Sequence, residues 1–280
     1  VEAARPSFDT FVHDPATTHS LSSNRVNDVL VNRQGIVWVA SQGGLDQFVP
    51  GDEKNPSGHF LRHPLGLEGP AGEDDLGASA LLATTREGRD LVIAGSKSGM
   101  SYALDPDNGG AIVWETRVGS GGTMGGIHYG MSSDGDGLFV GVSDLPTNNP
   151  YNVGEGHPGI HRLDLANGEI DWRNDLPNVC GDVKFLCFQG ISAAVSSSPG
   201  LIFAGGLDGI LRAFDTDSGE ILWEVNTVQE YGDINGVRGF GGAIEADGPV
   251  IANGSVYVTS GYEKWGEQPG NMLLVYGLAD

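Results

Sequence analysis

Apolar positions along this chain come in short runs broken by Gly, Asp, Asn and Pro, and the runs recur in groups of four. "SALLATT", "DLVIAGS", "MSYALD" and "AIVWETRV" make one group. "IHYGMSS", "GLFVGVS", "GIHRLDL" and "EIDWRND" make a second, and "ISAAVSS", "LIFAGGL", "ILRAFDT" and "EILWEV" a third. The runs are short, rich in β-branched and aromatic residues and flanked by turn formers, which predicts strands. No window keeps apolar residues at i, i+3, i+4 and i+7 for three turns, so helices are not expected.

Each group ends on the same phrase: an Asp, a polar turn with Gly, two apolar positions and a Trp. Asp105, Asp164 and Asp215 are 59 and 51 residues apart, and Trp114, Trp172 and Trp223 are 58 and 51 apart. Four strands per unit at such a period predict a β-propeller, whose blades pack face to face around an axis. The Trp is expected to fill the wedge between neighbouring blades. The Asp is expected to accept backbone N–H bonds in its turn. "RVNDVLVN", "IVWVASQ", "GLDQFVP" and "HFLRHP" add a unit near the start, whereas "GPVIANG", "SVYVTSG" and "NMLLVYGL" supply only three strands at the end. The expectation is an all-β fold, one domain over 1–280, with five blades at 25–64, 78–119, 127–176, 190–227 and 241–278. The orphan "SFDTFVHD" (7–14) is expected to close the last blade and remove a sheet edge.

Composition narrows the partners. Asp and Glu number 37 against 15 Lys and Arg, a net charge of −22, which repels phosphate backbones and anionic lipid. Nucleic acid is therefore not expected as a partner, and no apolar run is long enough for a membrane span. Cys180 and Cys187, in "NVCGDVKFLCFQG", have no His ligand nearby and are expected to form a disulfide, which suits an oxidising compartment. The chain is read as exported, with Val1 a mature terminus. "DPDNGG", "DGDG" and "DTDSGE" read as hairpin turns, because none has the bidentate Glu that completes an EF-hand loop.

The phrase D-x-x-x-G-x-x-x-W resembles the tryptophan-docking motif of quinoprotein dehydrogenases, propellers that bind pyrroloquinoline quinone. Over Gly72 to Asp280 the chain resembles the C-terminal part of polyvinyl alcohol dehydrogenase-like quinoproteins. The blocks that carry the likeness are "DLGASALL", "LVIAGSKSGMSYALDPDNGG", "GISAAVSSSPGLIFAGGLDGILRAFD" and "SVYVTSGY…PGNMLLVYGL". "HDPATTHSLSSNRVNDVLVNRQGIVWVASQGGLDQF" is similar instead to a propeller repeat of two-component regulators.

The resemblance implies a site. Lys97 falls where the family sets a cation against the quinone oxygens, a charge that stabilises the reduced, anionic cofactor. Asp75 falls where the family supplies a general base, and Glu73 and Asp74 beside it could share a Ca²⁺ ion with it. Trp265, in "YEKWGEQPG", could roof the cofactor pocket. Two functions stay open at this point. One is a pyrroloquinoline quinone- and Ca²⁺-dependent dehydrogenase acting on an alcohol. The other is a non-catalytic exported propeller that binds a protein or polymer at the cell surface.

Overall fold

The computed structural model describes residues 10–53, 56–63, 65, 76–122, 124–145, 155–181, 186–234 and 236–278. Antiparallel sheets account for all of its regular structure except one turn of 3₁₀ helix, Pro106–Asn108. The first sheet holds β1 (Val26–Val31), β2 (Val37–Ser41), β3 (Gly44–Val49) and β4 (His59–His63). The second holds β5 (Leu81–Thr84), β6 (Asp90–Gly95), β7 (Met100–Asp105) and β8 (Ala111–Arg117). β9 (Met131–Ser133), β10 (Gly137–Val142), β11 (Gly159–Asp164) and β12 (Ile170–Asp175) form the third. β13 (Ser196–Ser198), β14 (Leu201–Gly205), β15 (Ile210–Asp215) and β16 (Ile221–Asn226) form the fourth. A hairpin follows, β17 (Glu230–Ile234) with β18 (Val237–Phe240), and then a sheet of β19 (Val250–Ala252), β20 (Ser255–Ser260) and β21 (Met272–Gly277). Strands pair in chain order within each sheet, the meander of a propeller blade.

The core lies between the sheets. β6 and β10 are buried along their whole length because successive side chains point to opposite faces and each face meets a neighbouring sheet. Leu91 and Ile93 pack against Leu138 and Val140, while Val92 and Ala94 on the other face meet Trp38 and Leu45. Phe139 turns the other way, towards Ile202 and Phe214. Continuous apolar runs such as "DLVIAG" are thus blade interiors sandwiched on both sides.

The repeated phrase has a geometric meaning. Asp164 Oδ1 accepts from Ala166 N (2.9 Å) and Asn167 N (3.0 Å), and Asp215 Oδ1 from Asp217 N (3.0 Å) and Ser218 N (2.8 Å). These carboxylates hold the turn as the sequence leads one to expect. The Trp of one sheet docks on the turn of the next: Trp114 Nε1 donates to Leu165 O (2.9 Å) and its ring lies over Gly168. Trp172 repeats the arrangement, donating to Thr216 O (3.2 Å) over Gly219.

The N-terminal strand differs from expectation. Residues 7–9 of the segment lie outside the described residues, and 10–14 are not a strand. Phe11 instead packs edge-on against Phe48 and Phe60 of the first sheet, with centroids 5.2 and 5.3 Å away. Arg62 on β4 fixes the segment that follows through Ser20 O (3.0 Å), Ser20 Oγ (2.8 Å) and Leu21 O (2.9 Å). An aromatic side chain with a ready apolar seat outweighs pairing with a distant edge, and the last sheet has three strands among the described residues.

Candidate functional site

Three stretches, one from each of three successive units, converge on a pocket of about 590 Å³. In each, a fully buried Ile donates its N–H to the sheet before it: Ile127 to Ser96 O (3.1 Å), Ile191 to Val142 O (3.0 Å) and Ile244 to Gly206 O (3.1 Å). The next residue is polar and buried: His128, Ser192 and Glu245. One backbone device, repeated by the blades, therefore sets three different functional groups at equivalent places. His128 and Glu245 line the pocket, and Ser192 stands between them.

Ser192 Oγ is hydrogen-bonded to His128 Nδ1 (2.9 Å) and to Glu245 Oε1 (2.8 Å), and His128 Nε2 is 2.9 Å from Gly125 O. The loop carrying Gly125 is held by Asp144, a buried carboxylate that accepts from Ser120 N (2.7 Å), Gly126 N (2.8 Å) and His157 N (3.0 Å). Burial, helped by the Lys97 ammonium, pushes the His128 imidazole down to about 4, against the Gly125 bond and the Asp144 charge. Burial pushes the Glu245 carboxyl up to about 7; Ser192 and Lys264 oppose that rise, and Glu267 adds to it. Burial and the Tyr262 hydroxyl likewise push the Tyr129 phenol upward.

The rim comes from the loop between β20 and β21. Glu267, fully buried, accepts from Trp265 N (2.8 Å) and Lys264 N (3.3 Å) through Oε2. The Lys264 ammonium lies 5.3 Å from the Trp265 ring centre, and the ring is half exposed over the pocket. The loop is tied down from outside: Leu186 N donates to Gly266 O (2.8 Å), and Leu186 is held in the short loop closed by the Cys180–Cys187 disulfide.

Lys97, placed on the turn between β6 and β7, lines the same pocket, its stem against Gly77, where a Cβ would stand 3.0 Å from Lys97 Cγ. Lys97 and Trp265 are thus brought together. Glu73, Asp74 and Asp75 lie outside the described residues. Among the described residues no three His, Cys, Asp or Glu side chains are placed to hold a metal ion. His128, Ser192, Glu245 and Glu267 are not among the residues the sequence points to. Their signal is the shared position after an apolar residue in "GGIHYG", "QGISAA" and "GGAIEA", visible once the units are laid over one another.

A repeat-family model for PQQ-type propellers, described as outer membrane protein assembly factor BamB, matches residues 97–241 and 156–265. The chain belongs to this PQQ-type propeller family. Among individual proteins, this PQQ-type propeller is 38% identical over 213 residues to a polyvinylalcohol dehydrogenase of Pseudomonas sp., a match covering 72% of this chain and 33% of the relative. It is 40% identical over 197 residues to the polyvinylalcohol dehydrogenase of Sphingopyxis sp. (strain 113P3), covering 69% of this chain and 30% of the relative. The chain thus spans about a third of the length of these relatives. The computationally designed Ika8 protein shares its fold with a TM-score of 0.53 at 13% identity, over 90% of this chain and 58% of that one.

Proposed function

We propose that this chain belongs to a pyrroloquinoline quinone-dependent alcohol dehydrogenase of the polyvinyl alcohol type, and that the central pocket receives the quinone. The observation that carries the reading is charge. In a chain of net charge −22, Arg25, Lys97 and Lys264 all line one pocket, against a single lining carboxylate among the described residues, Glu245, that burial disposes to stay protonated. That inversion suits a planar, carboxylate-bearing cofactor. The residues present fit the group: cations for its carboxylates and carbonyl oxygens, and the Trp265 ring to cover a flat face. When bound, the quinone supplies a two-electron acceptor for the hydride of an alcohol. Lys97 and Lys264 bind and orient it, and the Trp265 loop shields it from water. The Ca²⁺ role of Glu73, Asp74 and Asp75, and that of Asp75 as base, belong to the same proposal. A disulfide in the chain supports an exported, periplasmic or extracellular setting.

The test is titration of pyrroloquinoline quinone and Ca²⁺ into the purified protein, followed by calorimetry. Saturable binding that weakens about tenfold in Lys97→Ala and again in Lys264→Ala, as for the loss of one charged contact each, supports the reading. Absence of binding removes it in favour of the second reading, an exported binding or assembly module. The likeness of its repeats to those of an outer membrane assembly factor is what favours that second reading.

A further inference from the structure

The floor of the pocket holds a hydrogen-bond chain whose directions follow from chemistry. Gly125 O can only accept, so His128 Nε2, 2.9 Å away, carries a hydrogen. A neutral ring then has a bare Nδ1, and the Ser192 hydroxyl donates to it across 2.9 Å. Ser192 has no second hydrogen, so the one in its 2.8 Å contact with Glu245 Oε1 comes from a carboxylic acid. The other self-consistent pattern ionises both ends, with Ser192 donating to a Glu245 carboxylate and His128 an imidazolium. Burial rejects it. Both residues are almost wholly enclosed, and that pattern sets two charges in the core where the first sets none.

The groups around the chain are of both signs. Lys97 faces His128 from the turn after β6, with Asp144 opposing it from the loop after β10. Glu267 faces Glu245 from the loop between β20 and β21, with Lys264 of the same loop opposing. Tyr129, paired with Tyr262, stands beside both glutamates, and Arg25 adds a cation to the pocket lining. With its proton directed at Ser192, Glu245 has one oxygen left, Oε2, which is buried and has no hydrogen-bond partner among the described residues. That oxygen can only accept. Glu267 Oε1 is in the same condition and supplies no hydrogen. A residue that lines the pocket thus carries a bare carbonyl oxygen, and an acceptor left unpaired in such a place is costly. The three cations select an anion; this oxygen selects a hydrogen-bond donor on it.

We propose that Glu245 is a specificity-determining residue of the central pocket, held as a neutral acid by Ser192 and His128 so that its free oxygen accepts from a donor on an anionic ligand. For pyrroloquinoline quinone, with its carboxylates ionised, that donor is the ring N–H. The ligand rests on the quinone reading of the pocket, whereas the protonation of Glu245 does not. Glu245 takes no proton from a substrate, and the role of base stays with Asp75. Ser192 and His128 are positioning residues that fix which oxygen carries the hydrogen. Loss of that hydrogen would set a negative charge against an anion, so affinity falls as pH rises through the Glu245 transition, near 7.

Two measurements test this. Protein labelled with ¹⁵N-histidine is titrated across neutral pH without ligand, with the His128 signals assigned by their loss in His128→Gln. In the wild type the His128 nitrogens shift in one transition near pH 7, as Glu245 ionises and takes over the Ser192 hydrogen. In Glu245→Gln the amide donates to Ser192 at every pH, and the transition vanishes. No shift in the wild type, or the same shift in Glu245→Gln, overturns the neutral acid. Calorimetry with pyrroloquinoline quinone then reads the free oxygen. Wild-type affinity should fall about tenfold from the acid to the alkaline side of 7, while Glu245→Gln, which keeps a carbonyl oxygen, holds the acid-side affinity throughout. Glu245→Leu, which has no acceptor, should bind about tenfold more weakly on the acid side. Leucine binding as tightly as wild type there, or an equal loss with pH in Glu245→Gln, overturns the proposal. Should Glu245→Leu not fold, the comparison of wild type with Glu245→Gln still decides. An intact nitrogen transition in a protein that binds no quinone overturns the ligand and the quinone reading together, and upholds the neutral Glu245.

Discussion

At Gly168 the backbone takes φ +76, and a Cβ built there would stand 2.6 Å from the Trp114 ring of the preceding sheet. Left-handed backbone and close approach of the ring both call for a residue without a side chain. Gly168→Ala should therefore destabilise the protein by about 2–5 kcal/mol, the left-handed and overpacking costs together, read as a lowered denaturant midpoint with the slope unchanged. An unshifted midpoint would show that the Trp docking contributes nothing. The phrase that holds these residues is readable in the sequence because it recurs with the same residue types at the same spacing. The cluster at the pocket floor is not readable in that way. His128, Ser192 and Glu245 share a position but not a chemistry, and they lie 64 and 53 residues apart. Only the folded chain shows that a histidine, a serine and a glutamate become neighbours. Lys97 is reached from the sequence through family likeness and Trp265 as an aromatic in a loop, and the structure sets both at the pocket.

At the scale of the element, most strands follow from apolar runs, because sheets covered on both faces leave an unbroken apolar signal. The β17–β18 hairpin escapes that reading. Its sequence, "EYGDINGVRGF", has an Asn-Gly turn signal but too few apolar residues to mark two strands. The N-terminal segment is misread for the opposite reason: Phe11 and Val12 mark an apolar segment, yet pattern alone does not say which sheet takes it. β15 carries an energetic choice that sequence does not show either. Arg212 is fully buried and meets Asp208 in two hydrogen bonds, at 2.6 and 3.1 Å, with Glu224 3.6 Å away on β16. Removing the Asp208 charge leaves a guanidinium short of its closest counter-ion in the core. Asp208→Asn should cost about 3–5 kcal/mol, and Asp208→Asn with Arg212→Met less than that single change. Thermal unfolding of the three variants checks this; a double variant weaker than Asp208→Asn would refute the account.

For the molecule as a whole, the disulfide is a remote fastening on the pocket. Cys180 and Cys187 close the loop that presents Leu186, and Leu186 pairs with the Gly266–Glu267 backbone beneath Trp265 and Lys264. Closing so short a loop contributes only about 2–3 kcal/mol to global stability, so cutting it leaves the blades standing and loosens the rim. A reducing agent therefore becomes a reagent against one loop. Trypsin reports it, because Lys264 sits in that loop: dithiothreitol should speed cleavage after Lys264, and after Lys184 between the two cysteines, while leaving cuts elsewhere in the chain unchanged. Equal cleavage with and without the reductant would show that the rim holds itself. If the fastening is real, thiols carried over from purification will open the mouth of the pocket, and ligand titrations made in their presence will report the buffer as much as the protein.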